Sequence, residues 1–130
     1  MTNNATAPKL TVLVLAYQQE RFIKCAVESA MAQDASDFDI ILSDDASTDK
    51  TFEIMKSCTE SYSGPHKIKC IRNSSNKGLN ARLNNLVPMA RSTHIMCISG
   101  DDISCPNRAS KIIETFEKVS FPPKTVPKLA

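Results

Sequence analysis

A chain of 130 residues is long enough for one domain and too short for two. Its 42% apolar and 23% charged residues are those of an ordinary globular protein, which excludes a disordered, collagen-like or disulfide-dense chain. Sixteen Lys and Arg against fourteen Asp and Glu leave a net charge of +2, too near neutral to argue for nucleic acid or an anionic membrane.

Residues 1–9 are polar and small and read as a frayed terminus. Residues 10–16 form a nearly continuous β-branched and aliphatic run, which predicts a strand buried on both faces of a parallel sheet. The run is too short to cross a hydrocarbon core of ~30 Å. It also lacks the cationic start and small-residue cleavage site of a signal peptide. Residues 21–33 carry the pairs Phe22/Ile23, Ala26/Val27 and Ala30/Met31, a spacing of four that predicts an amphipathic helix. Residues 38–42 read as a second strand. Ser47 is the expected N-cap of a second helix, with Asp49 in its first turn and Phe52, Met55 and Cys58 on its buried side.

A turn at Gly64-Pro65 precedes a third expected strand at 67–71. Leu79, Leu83, Leu86/Val87 and Ala90 make the stripe of a third helix, which Pro88 should kink or end. Residues 93–98 predict a fourth strand. Pro106 suits the first position of a last helix with the stripe Ala109, Ile112/Ile113, Phe116 and Val119. Residues 120–130 are a proline-rich tail. The order β-α-β-α-β-α-β-α predicts an α/β domain over residues 10–119: an open parallel sheet with right-handed crossovers and helices on both faces.

The five cysteines (Cys25, Cys58, Cys70, Cys97 and Cys105) include no C-x-x-C pair, so reduced, mostly buried thiols are expected, with no zinc site. His66 and His94 stand alone in the sequence and are read as structural. Of eight aspartates, six lie between Asp34 and Asp49, and the other two are Asp101 and Asp102. Between Glu60 and Asp101 there is no acid, but there are Lys67, Lys69, Arg72, Lys77, Arg82 and Arg91. Acid clusters bracketing a basic stretch suit a divalent cation and phosphates.

In open α/β sheets ligands sit beyond the carboxyl ends of the strands. The expected strands place Ala16-Tyr17, Asp44-Asp45 and Asp101-Asp102 on that edge. Two pairs of carboxylates there repel each other unless a cation or hydrogen-bond donors offset them. A polar ligand with a divalent cation follows. The chain has no G-x-G-x-x-G, no P-loop and no G-x-S-x-G elbow, which excludes those ligand and catalytic classes. A phosphoacceptor receiver needs its acid pair after the first strand, where this chain has Ala16-Tyr17.

Several segments in order now match a known family. Residues 12–17 lead to Glu20 and Ser29-x-x-x-Gln33. Residues 40–49 end in Asp44-Asp45-Ala46-Ser47-Thr48-Asp49. Asn76-Lys77-Gly78 is followed by Asn84, and residues 95–102 end in Gly100-Asp101-Asp102. The chain over residues 10–119 resembles the nucleotide-binding half of family 2 glycosyltransferases, which have the GT-A fold. The resemblance implies a nucleotide-sugar donor, Mn²⁺ or Mg²⁺, and a saccharide or lipid-linked acceptor. It implies Ala16, Tyr17, Glu20, Asp44, Asp45, Lys77, Arg82 and Asp101 around the donor, with Tyr17 and Ala16 at the base and Lys77 and Arg82 toward phosphate. It implies Asp101 and Asp102 as metal ligands.

The chain departs from the family pattern in places. Ser99 stands where the family's D-x-D-type motif has its first acid, and Ser92 where it has glycine. The family's acceptor half and catalytic base would lie beyond residue 130, as in a truncated product. The chain alone is then expected to be marginally stable, self-associating and inactive in transfer. The alternative is a non-catalytic nucleotide-sugar-binding remnant or a partner-dependent subunit. The resemblance also implies work on cell-surface polysaccharide in the cytoplasm, at most peripheral to the inner face of the membrane.

Overall fold

Strand β1, Leu10–Ala16, has six of its seven residues buried. A strand covered on both faces must lie inside a sheet, and β1 does. The computed structural model, which describes residues 7–119, places it between β2 (Phe38–Asp44) and β4 (Ile95–Ser99). β3 (Ile68–Arg72) completes a four-stranded sheet in the order β3-β2-β1-β4, with every pairing parallel. The crossovers are α1 (Ile23–Met31), α2 (Thr51–Ser61) and α3 (Gly78–Leu86), and α4 (Arg108–Lys118) follows β4. The expected α/β order is therefore present. Residues 1–6 of the tail expected at 1–9, and the whole tail expected at 120–130, lie outside the described residues.

The alternation of β1 divides the core. Leu10, Val12, Val14 and Ala16 pack with Ala26, Val27, Met55 and Ala109 under α1, α2 and α4. Leu13 packs with Ile41, Ile95 and Leu86 under α3. Helices thus cover both faces. Each fully buried aliphatic side chain contributes ~1.5–3 kcal/mol relative to exposure, so the strands, not the helices, hold most of the apolar stabilisation.

The structure differs from the sequence expectations at five places. The N-cap of α2 is Lys50, not Ser47, because Ser47 spends its hydroxyl on Asp44. Phe52 and Cys58 are only half-buried, since α2 packs through Met55. Leu79 is 57% exposed, since α3 turns Arg82 and Leu86 inward instead. Pro88 does end α3, in a 3₁₀ turn at Val87–Met89, but α4 starts at Arg108, two residues after Pro106. None of the five cysteines is fully buried: Cys25 and Cys105 are exposed, and all five are free thiols. No helix among the described residues is long and apolar enough to cross a membrane.

Candidate functional site

The parallel register sets the site. Ala16 pairs with Asp44, and Leu15 with Ser99. The chain leaves all three strands at one level, so Tyr17, Asp45 and Gly100 begin neighbouring loops on the carboxyl edge. Gly100 donates its N–H to the Leu15 carbonyl at 2.8 Å. A Cβ there would fall 2.3 Å from Gln19 Oε1 and 3.0 Å from the Ala16 Cβ. A side chain there would have to displace the Gln19 amide and press on Ala16, so glycine eases the close approach of the Asp101-Asp102 loop to the β1 loop.

The loops after β1 and β2 are laced together. Gln18 and Gln19 donate backbone N–H groups to the Ser47 and Thr51 hydroxyls, each at 2.8 Å. Gln18 Oε1 accepts the backbone N–H groups of Thr48 and Asp49. The Glu20 carboxylate accepts from the Lys50 N–H at 2.9 Å, at the start of α2. Asp49 accepts from Thr51 through both its backbone N–H and its hydroxyl. Burial pushes the Asp49 carboxyl up, but these bonds outweigh it and hold the group below its ordinary value.

The interlaced loops require two residues in the left-handed region, Gln18 at φ 53° and Ala46 at φ 65°. The Cβ of Ala46 opposes that conformation by ~1–2 kcal/mol. Part of this is offset by the extra chain entropy that glycine loses on folding. Ala46→Gly is therefore expected to raise unfolding stability by about 0.5–1 kcal/mol. Urea denaturation checks it, and a loss of stability would contradict the strain at Ala46.

The Asp44-Asp45 pair is buried, Asp44 completely and Asp45 to 2% exposure. Asp44 accepts from the Ser47 backbone N–H at 3.0 Å and from the Ser47 hydroxyl, with Arg72 Nε 3.6 Å away. Asp45 accepts from Asn73 Nδ2 at 2.7 Å, and from the backbone N–H groups of Lys77 and Gly78 at 2.9 Å. It closes the N-terminus of α3, where the helix dipole favours a negative charge. Burial raises the Asp45 carboxyl. The three donors and the Arg82 charge outweigh burial and leave it below the usual carboxylate range.

Arg82 is only 6% exposed. Its Nη2 donates to the Ser43 carbonyl at 2.7 Å, while Nε is buried without a partner among the described residues. Burial lowers its affinity for the proton, against the pull of Asp45 and Asp44. Three of the expected donor contacts, Asp44, Asp45 and Arg82, are thus turned into the walls of the site. Buried carboxylates need donors, and each of these has found them in the protein. The Ala16 carbonyl is likewise taken, by the Asp45 N–H at 3.1 Å.

Tyr17, Glu20, Lys77, Asp101 and Asp102 remain exposed on this edge, Tyr17 to 45%. Ser99 Oγ donates to Asp101 at 2.7 Å, so the serine that replaces the first acid orients the second. No cluster of three or more potential metal ligands occurs among the described residues. Two solvent-facing carboxylates nevertheless suit Mg²⁺ or Mn²⁺, which take one or two carboxylates and leave places for water and phosphate oxygens. Sequence reasoning missed Gln18 and Asn73, and had Arg72 only as one base of the acid-free stretch. Arg72 ends β3 and Asn73 follows it, so the carboxyl-edge rule already pointed to both. Arg72 lies across the Phe52 ring, 5.1 Å from its centroid, and donates to the Ser47 carbonyl at 2.8 Å.

Comparison with known proteins shows the family and the fold. The family model described as "Glycosyl transferase family 2" matches residues 11–121. The putative glycosyltransferase EpsE of Bacillus subtilis is 38% identical over 113 residues, covering 87% of this chain and 40% of its own length. The UDP-Glc:alpha-D-GlcNAc-diphosphoundecaprenol beta-1,3-glucosyltransferase WfaP of Escherichia coli is 31% identical over 114 residues, covering 86% of this chain and 43% of its own. Among solved structures, the mannosyltransferase PcManGT from Pyrobaculum calidifontis, in complex with GDP-Man and Mn²⁺, superposes with a TM-score of 0.74. It is 18% identical and matches 90% of this chain and 34% of that one, a likeness of fold. The chain spans less than half the length of each of these relatives. It belongs to glycosyl transferase family 2.

Proposed function

We propose that this family 2 domain binds a nucleoside-diphosphate sugar across the carboxyl edge of its sheet and presents it for transfer to an acceptor hydroxyl. One observation carries the reading. The parallel register brings the ends of β1, β2 and β4 to one level, with exposed Tyr17 beside a rim of exposed Asp101 and Asp102. In this reading Tyr17 lies against the nucleobase, next to Ala16. Lys77 meets phosphate, and Glu20 and Asp101 bound the ribose side. Asp44, Asp45 and Arg82 act from behind, holding the loops that carry these groups.

Asp101 and Asp102 would hold Mn²⁺ or Mg²⁺. The cation, when bound, would offset the charge that builds on the departing diphosphate. The names of the relatives support the class of ligand. WfaP is named for a UDP sugar and a lipid-linked diphosphate acceptor, and PcManGT carries GDP-Man with Mn²⁺. The acceptor is read as a saccharide or a lipid-linked saccharide of a cell-surface polysaccharide. The acceptor half and its catalytic base are placed outside residues 10–119, in keeping with the 40% and 43% of EpsE and WfaP that the match spans.

The test is calorimetric titration of the chain with UDP, GDP, dTDP and their sugars, with and without Mn²⁺. Saturable binding of one nucleoside diphosphate, strengthened at least about tenfold by the metal, is expected. Absence of binding to all of them in the presence of metal would remove the reading.

A further inference from the structure

The loop after Asp102 has little of its own to hold it. Ile103 is 72% exposed, and the described hydrogen bonds within residues 102–107 are few. Yet this segment carries the two exposed acids and must keep them at the rim. Its anchors come from α1, more than seventy residues earlier in the chain.

Gln33, two residues past the end of α1, is 5% exposed. Its Nε2 donates to the Cys105 carbonyl at 2.8 Å and to the Ser29 carbonyl at 3.1 Å. Its Oε1 accepts the Ala109 N–H at 2.8 Å, in the first turn of α4. One side-chain amide thus uses both donor hydrogens and one acceptor position, and it closes the N-terminus of α4. Ser29, one turn earlier, accepts the Ser104 N–H at 3.0 Å and donates to the Ala26 carbonyl at 2.8 Å. The Asp34 N–H adds a bond to the Pro106 carbonyl at 2.8 Å.

Ser29 lies in the last turn of α1 and Gln33 two residues past its end, where its amide reaches back to the Ser29 carbonyl, so both act from the same end of the helix. Together they grip the loop at residues 104, 105 and 109. Ser29, Gln33, Ser104 and Ala109 are buried, where a hydrogen bond left unmade costs ~1–3 kcal/mol. Such a network fixes one geometry when every member is satisfied.

We infer that Ser29 and Gln33 are positioning residues for the Asp101-Asp102 rim: they hold its departing strand of chain against α1, so that the two carboxylates are set for the cation and diphosphate before these arrive. The inference rests on the donor-site reading above. It assigns no ligand contact to either residue. Their effect is on preorganisation, as for the groups that orient metal ligands from behind.

Two measurements on the full chain test it. In Gln33→Leu, amide hydrogen exchange at Ser104 and Ala109 is expected to quicken at least tenfold, with β1 and β2 amides unchanged. In the same variant, and in Ser29→Ala, the gain in nucleoside-diphosphate affinity that Mn²⁺ brings should fall at least tenfold. Binding of the diphosphate without metal should change less than twofold. A role confined to stability would lower the melting temperature and leave that ratio unmoved.

An unaltered ratio in both variants overturns the inference. So does unaltered exchange at Ser104 and Ala109. Ser29→Ala removes one hydroxyl, with its bonds to the Ser104 N–H and the Ala26 carbonyl, and keeps the test available if Gln33→Leu does not fold. If the unmodified chain binds no diphosphate, the donor reading fails, and exchange in the ligand-free chain still decides whether the two residues hold the loop.

Discussion

Asp45→Ala is expected to lower unfolding stability by about 3 kcal/mol, the largest single loss at this site. The carboxylate gathers Asn73 Nδ2 and the backbone N–H groups of Lys77 and Gly78 in a place that is 2% exposed. Alanine leaves these donors without their acceptor and opens the first turn of α3. Asp45→Asn should cost nearly as much. Its amide brings two donor hydrogens into a ring of groups that already donate. Urea denaturation at pH 7 reads both values, and a change below about 0.5 kcal/mol in either would show that α3 holds without Asp45.

The same carboxylate predicts a pH dependence. Its folded-state proton affinity is held below the unfolded value of roughly 3.9. The unfolded chain therefore takes up a proton first as pH falls. The stabilisation is complete above the unfolded value and is lost as pH drops through the folded one. Asp49 shifts in the same direction, so its contribution has the same sign. Stability of the unmodified chain should fall below about pH 4. Asp45→Asn, which has no such group, should show a shallower acid limb.

Legibility of the fold from the sequence followed burial. β1 was readable because its residues are covered on both faces, which leaves a continuous apolar run. β3 was harder. It is an edge strand with no fully buried residue, and its pattern is correspondingly diluted. The candidate site was placed by the rule that ligands gather at carboxyl ends. The duties of its residues were not. Nothing in Asp44-Asp45 says that both carboxylates are consumed by Ser47, Asn73 and the N-terminus of α3, because those partners come from elements that only the fold brings together. Arg82 shows the same limit. As a basic residue in an acid-free stretch it suggested phosphate, and its place on the buried side of α3 turns it toward β2, onto the Ser43 carbonyl. Ser29 and Gln33 were visible as a spaced pair, but their partners lie more than seventy residues away.

Asp102→Asn is expected to abolish the strengthening of nucleoside-diphosphate binding by Mn²⁺ while leaving the fold intact. A loop acid pair before a helix has an ordinary structural use, capping the helix. Here that use is already filled: the Ala109 N–H of α4 goes to Gln33, the Lys111 N–H to the Asn107 carbonyl, and the Arg108 N–H to the Cys105 carbonyl. The Asp102 backbone N–H serves the turn by donating to the Ser99 carbonyl at 3.0 Å, and this bond survives any change of side chain. The Asp102 carboxylate is exposed and free of structural duty, so its replacement should move unfolding stability by less than about 0.5 kcal/mol. Its charge is a different matter. Two carboxylates supply only part of an octahedral shell, so the metal should bind weakly until phosphate oxygens complete it. Removing one of the two negative charges leaves Asp101, itself engaged with the Ser99 hydroxyl, to hold the cation alone. Affinity for the diphosphate measured with Mn²⁺ should then fall at least about tenfold, to the value measured without it. Equal affinity in Asp102→Asn and the unmodified chain, with metal present, would move the cation away from this rim.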